Sequence, residues 1–127
     1  DIKIKAAYIF EIDIEALLGK DIKPVINYIP FSRYPAVKRD LTVIVDERTE
    51  SGTIRDIIKR EGGNLIESVS IFDVYKGEKI GHGRKTISFR IIYRSMETTL
   101  DGNMINKLHE KITGRILKEV GGTLSEG

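Results

Sequence analysis

The chain has 127 residues, 21 Lys+Arg against 19 Asp+Glu for a formal net charge of +2, with 40% apolar and 31% charged residues. That length and that apolar share make one globular domain with a real core and exclude a disordered polar tail. The absence of Cys excludes disulfides, thiolate metal sites, CxxC redox chemistry and cysteine nucleophiles, and with His82 and His109 as the only histidines no all-protein zinc site is expected.

The first thirty residues read differently from the rest. Ile2 to Asp13 alternates for part of its length, as a strand does, and Glu15-Ala16-Leu17-Leu18 then forms a helical turn stopped by Gly19. Asp1, Lys3 and Lys5 interrupt the apolar residues at the start, so no signal peptide is expected. Apolar runs stop at four or five residues, far short of the about 20 that span a membrane. A soluble, cytoplasmic protein is therefore expected. Pro24, Pro30 and Pro35 are the only prolines, and proline fixes φ and lacks a donor, so this stretch is expected to be extended linker. The boundary falls near Tyr28–Phe31, which divides the chain into residues 1–27 and a domain of residues 28–127.

After the linker, Asp40-Leu41-Thr42-Val43-Ile44-Val45 is β-branched and predicts a strand. Ser51-Gly52-Thr53 opens a helix with apolar Ile54, Ile57 and Ile58 at helical spacing, stopped by Gly62-Gly63. Leu65 to Tyr75 predicts a second strand, and Lys76 to Gly83 a glycine-rich loop. Lys85 to Arg94 alternates almost strictly, with Ile87, Phe89, Ile91 and Tyr93 on one face and Thr86, Ser88, Arg90 and Arg94 on the other. Asp101 can cap a long helix with an apolar line through Ile105, Leu108, Ile112, Leu117 and Val120. Gly121-Gly122 ends it and leaves Thr123-Leu124-Ser125 for a short last strand. The order β-α-β-β-α-β predicts an α+β, ferredoxin-like fold, a four-stranded antiparallel sheet with two helices on one face. No further helix remains to cover the other face, and a ligand is expected there.

Three features invite a chemical reading. The loop before Lys85-Thr86 is glycine-rich, but GxxxxGK[ST] needs glycines where Lys79 and Arg84 stand, and the loop leads into a strand where phosphate cradling needs a helix N-terminus. It reads as a hairpin connection. Second, residues 74–99 carry Lys76, Lys79, Arg84, Lys85, Arg90 and Arg94 against Glu78 and Glu97, and the linker adds Arg33, Lys38 and Arg39. These make either a basic rim for phosphates or an ordinary solvated surface, and a charge run alone favours the latter. Third, if Phe72 and Val74 face the helices, Asp73 and Tyr75 face out together. A tyrosine ring is a stacking platform, and a carboxylate accepts hydrogen bonds. Guanine presents two adjacent donors, N1–H and N2–H2, so the pair suits an unstacked guanine, flanked by Thr42 and Thr86. On composition alone the plainer reading is preferred, with Tyr75 packed on the rim and Asp73 tying down the loop. Catalysis finds no support, since His109-Glu110 lacks the second histidine of HExxH and no acid/base pair is recognisable.

Four stretches carry a family resemblance. Phe31-Ser32-Arg33-Tyr34-Pro35-Ala36-Val37-Lys38-Arg39-Asp40-Leu41, Phe72-Asp73-Val74-Tyr75-Lys76-Gly77, Gly83-Arg84-Lys85-Thr86-Ile87-Ser88-Phe89-Arg90, and Arg94-Ser95 through Thr98-Thr99-Leu100 stand in one collinear order. Together they resemble the C-terminal anticodon-binding domain of bacterial phenylalanyl-tRNA synthetase beta subunits. Residues 1–27 look like the tail of the preceding, catalytically silent synthetase-like module. The resemblance implies the ferredoxin-like fold and a wobble guanine held on the open sheet face by Tyr75, Asp73, Thr42 and Thr86. Thr42 and Thr86 stand where small residues and serine are familiar. Phosphate contacts are assigned more weakly to Arg84, Lys85, Arg90 and Arg33. The implied partners are the anticodon loop of phenylalanine tRNA and, for the parent enzyme, the alpha subunit in a heterotetramer of two alpha and two beta subunits. ATP and magnesium belong to that enzyme, a ligase of protein biosynthesis; this fragment is expected to hold no cofactor and no catalytic residue. From another class, a ferredoxin-like regulatory or protein-interaction module without RNA binding would share the topology. An RRM-like protein would need stacking aromatics where the third strand offers Ser88 and Arg90.

Overall fold

The computed structural model describes residues 32–125. The expected strand and helical turn of residues 1–27, and the boundary at residue 28, lie outside the described residues. Within them the elements run β1 (Val37–Asp46), α1 (Ser51–Gly62), β2 (Ile66–Tyr75), β3 (Arg84–Tyr93), α2 (Gly102–Val120) and β4 (Thr123–Leu124). The sheet order is β2-β3-β1-β4 with antiparallel neighbours throughout, the ferredoxin-like arrangement expected from the pattern.

Strand alternation builds the core. Leu41, Val43 and Val45 of β1 and Ile87, Phe89, Ile91 and Tyr93 of β3 are buried on one face, against Ile54, Ile57 and Ile58 of α1 and Ile105, Ile112 and Ile116 of α2. Each such side chain gains about 1.5–3 kcal/mol by leaving water. The α2 line gains one position over expectation: Ile116 is fully buried with Ile105 and Ile112, while the expected Leu108, Leu117 and Val120 pack partly buried on its flanks. One residue is about 100° of helix, so Ile116 points to the centre of the seam and Leu117 to its flank.

Strand β1 also starts earlier than expected. Val37, Lys38 and Arg39 pair with Tyr93, Ile92 and Ile91 of β3, so the end of the linker belongs to the sheet. Pro35 stands two residues ahead of the first ladder pair, where its missing N–H costs nothing. At α1 the cap is Glu50 with no side-chain hydrogen bond, and Ser51 is already helical. At α2 the Asp101 carboxylate accepts from the Asn103 N–H at 3.1 Å, a cap worth about 1 kcal/mol. The chain enters β4 through Gly122, where a Cβ would lie 2.8 Å from the Ile44 carbonyl oxygen, so only glycine lets the last strand come this close to β1.

One half-buried polar pair ties α2 to the sheet. The Tyr93 hydroxyl lies 2.9 Å from His109 Nδ1. Burial pushes the Tyr93 phenol up to about 12, so it stays protonated and can donate to the ring nitrogen. Burial likewise pushes His109 below its ordinary value of 6.5, against the opposing pull of the Asp40 carbonyl and nearby carboxylates. A histidine depressed in the folded state binds its proton more readily when unfolded. Its contribution to stability is therefore complete above about pH 6.5 and is lost as pH falls below it. Chemical denaturation between pH 7.5 and 5 should show stability falling with acid, and His109→Gln should flatten that slope. An unchanged slope in the variant would remove His109 from the effect.

Candidate functional site

Cross-strand partners share a face of a sheet, so the register fixes what is displayed on the open face, the one that no helix among the described residues covers. Opposite the core residues, one row reads Tyr75–Thr86–Ile44, the next Asp73–Ser88–Thr42, and the next Ser70–Arg90–Asp40. Tyr75 and Asp73 thus stand on the same face at the outer strand, with Thr86 and Ser88 beside them on the central strand and Thr42 one strand further. Strands lie about 4.8 Å apart, so each row is about 10 Å wide, enough to seat a nucleobase.

The outer and central strands differ in relief. Tyr75 is 46% exposed, while Thr86 and Ser88 are 8% and 5% exposed. Small side chains on the central strand sit low between larger neighbours and form a floor beside a raised ring. The Thr42 and Ser88 hydroxyls lie 3.0 Å apart and satisfy one another. Asp73 is exposed, and no ion pair among the described residues holds its carboxylate. Ser88, absent from the site expected from sequence, lies directly between Asp73 and Thr42. Its outward position was legible in the alternation of β3, but its neighbours follow only from the register.

Phe72 departs from expectation. The register shifts between Ile71 and Asp73, a bulge that leaves Phe72 without a cross-strand partner. Its ring turns under Arg90, whose guanidinium carbon is 4.7 Å from the ring centroid. Val74 does pair with core residue Ile87 on the helix side, but it is half exposed because β2 is an edge strand.

The cations divide by what they already hold. Arg90 donates from Nε and Nη2 to the two Asp40 carboxylate oxygens, each at 2.9 Å, and these bonds hold the Asp40 carboxyl below its usual range. That leaves Arg90 poorly placed to meet a phosphate. Lys76 is bound to Glu47 at 2.8 Å and draws its carboxyl down in the same way. Arg84 pairs with Asp46 in the register, on the same face as Thr86. Lys85 pairs with core residue Val45 and so points to the helix side, away from Tyr75. Arg33 is exposed beside the opening of β1. A concavity of about 290 Å³ at the end of the hairpin is lined by Lys76, Gly77, His82 and Arg84 among others. A larger one, about 580 Å³, lies at the opposite edge between β1, α2 and β4, where Leu117 and Leu124 line it and no lysine or arginine does.

Much of the motif carried by the family resemblance holds the fold together. The Ser32 hydroxyl donates to the Ser95 carbonyl at 2.8 Å, and Arg94 reaches the Tyr34 carbonyl at 3.4 Å and Glu67 at 3.0 Å. Arg39 clamps Asn106 of α2 at 3.0 and 3.1 Å. These ties dock the segment before β1 and orient α2. Among the described residues, no group of His, Asp and Glu could hold a metal ion, and no helix is long and apolar enough to cross a membrane.

The face opposite the core thus carries the exposed Tyr75 ring, the half-exposed Phe72 ring against Arg90, the Asp73 carboxylate, and Arg84 at the strand end. The chain belongs to the ferredoxin-fold anticodon binding domain family, which matches residues 32–125. Among its relatives, the phenylalanine–tRNA ligase beta subunit of Bacillus licheniformis is 37% identical over 112 residues, 88% of this chain and 14% of the relative. Those of Geobacillus kaustophilus and Clostridium tetani are each 35% identical, over 121 and 117 residues, covering 95% and 92% of this chain and 15% of each relative. The chain thus spans about 14–15% of the length of these relatives.

Proposed function

We propose that this domain binds the anticodon loop of phenylalanine tRNA and reads its wobble guanine, as one part of a phenylalanine–tRNA ligase beta subunit. The observation that carries the reading is the shared placement of Tyr75 and Asp73 on the open face, beside the low floor of Thr86, Ser88 and Thr42. The Tyr75 ring stacks on the base, and the Asp73 carboxylate accepts from guanine N1–H and N2–H2. Adenine offers a lone pair at N1 where guanine offers a proton, and a carboxylate repels it. Arg84 and Arg33 supply phosphate contacts, with Lys85 and Arg90 contributing less because one points away and the other is held by Asp40.

In the whole enzyme, two alpha and two beta subunits assemble, and aminoacylation with ATP and magnesium takes place on the alpha subunit in the cytoplasm. This chain contributes recognition to that ligase reaction and no catalytic residue. Residues 1–27 are the tail of the preceding module, and residues 28–127 are the anticodon-binding domain. Footprinting of phenylalanine tRNA with the 127-residue chain tests the assignment. Protection confined to the anticodon loop, weakening steeply with salt, is the expected result. Protection elsewhere, or none at a concentration that saturates the whole beta subunit, contradicts it and leaves a protein-interaction module.

A further inference from the structure

We propose that Gly77 is a positioning residue for Tyr75: its missing side chain is the space in which the ring lies. The inference rests on the reading of Tyr75 as the stacking platform. A Cβ built on Gly77 would overlap the Tyr75 hydroxyl and lie 2.5 Å from Cζ and 2.9 Å from Cε1. Real Cβ atoms do not come that close to other heavy atoms, so an alanine at 77 must displace something.

The backbone gives no other reason for glycine here. Gly77 has φ −173° and ψ 166°, an extended conformation open to any residue. Gly83, in the same hairpin, is the opposite case, with φ 72° and nothing within 4 Å of a built Cβ. That glycine serves the turn, and Gly77 serves the ring. Residues two apart on an extended chain share a face, so the absent side chain of residue 77 belongs on the face that Tyr75 displays. The phenol end of Tyr75 leans along the strand direction and occupies it.

What yields to a methyl group at 77 is the ring. Tyr75 is 46% exposed at the end of an edge strand, and the overlapping atoms are the far end of its side chain. Backbone movement is opposed by the turn that follows, where the Ile80 N–H donates to the Gly77 carbonyl at 3.2 Å. A methyl group therefore rotates the ring out of its pose and leaves the strand in place. A ring already in its binding pose forfeits no ordering entropy when a base arrives, and a displaced ring forfeits that advantage.

The test is a titration of the phenylalanine anticodon stem-loop with four forms of the 127-residue chain: wild type, Gly77→Ala, Tyr75→Ala and the double variant. Gly77→Ala is expected to weaken binding more than about threefold, but less than Tyr75→Ala, whose stacking loss corresponds to about 5- to 150-fold. In the Tyr75→Ala background, Gly77→Ala should change nothing further. In the free Gly77→Ala chain, the Tyr75 ring resonances should shift while the core amide resonances and the melting temperature hold. An equal loss in both backgrounds, unchanged binding of Gly77→Ala beside a weakened Tyr75→Ala, or unfolding of Gly77→Ala overturns the positioning role alone. Unchanged binding of Tyr75→Ala overturns the stacking reading first.

Discussion

Replacing Tyr75 by Ala should weaken binding of the wobble-guanine stem-loop by about 1–3 kcal/mol, the range for one base–aromatic stack in single-strand recognition. The ring stands 46% exposed at the outer edge of a sheet whose central strand offers only small, low side chains beside it. The other exposed ring of β2, Phe72, is half exposed but already stacked with a cation. Phe72 lies under the Arg90 guanidinium, and Phe89 and Tyr93 are buried among the helices. Tyr75→Phe retains the π-face and should keep most of the affinity. Because the ring is an edge residue, Tyr75→Ala leaves the fold intact, and its melting temperature should stay near that of the wild type. A stem-loop titration with no change in affinity would remove the stack from the account.

Asp73→Asn has the second large effect, and its signature is selective. Hydrogen bonds to a charged acceptor contribute about 1.5–3 kcal/mol, and an amide in the same place keeps one acceptor and gains a donor. Binding to a guanine wobble base should fall by that amount. An adenine variant should bind no worse than before, and better if the new amide donates to adenine N1. No described ion pair anchors the Asp73 carboxylate, so its replacement frees no buried cation and should leave stability unchanged. This separates a base-reading role from the plainer one, in which Asp73 ties down the loop. In that case Asp73→Asn would lower the melting temperature and weaken both stem-loops alike.

The fold was legible because its periods are clean. The alternation of Ile87, Phe89, Ile91 and Tyr93 named the core strand, and the helical spacing of Ile54, Ile57 and Ile58 named a helix that packs on it. What escaped were features set by pairing between strands. The β2 bulge that turns Phe72 toward Arg90 leaves no mark in β2 itself, because it exists only relative to β3. Lys85 and Arg84 are adjacent in a run of basic residues, yet strand alternation sends them to opposite faces. Arg90 carries a charge in the sequence, and in the fold that charge is spent on Asp40, fifty positions away. Arg39 and Arg94 stand in the sequence among the basic-rim residues with Arg33, whereas in the fold their partners are Asn106 and Glu67. Residue type gave the chemistry available to the site, and register decided which groups share a face.

On the proposed reading, this sheet face discriminates the wobble base through Asp73. Its most direct test titrates two anticodon stem-loops, identical except for guanine or adenine at the wobble position, against the wild-type chain and Asp73→Asn. The wild type should prefer guanine by about 1–3 kcal/mol, as for a well-matched bidentate contact, and Asp73→Asn should lose the preference. Equal affinity of the wild type for the two stem-loops, or a guanine preference that survives in Asp73→Asn, would contradict it.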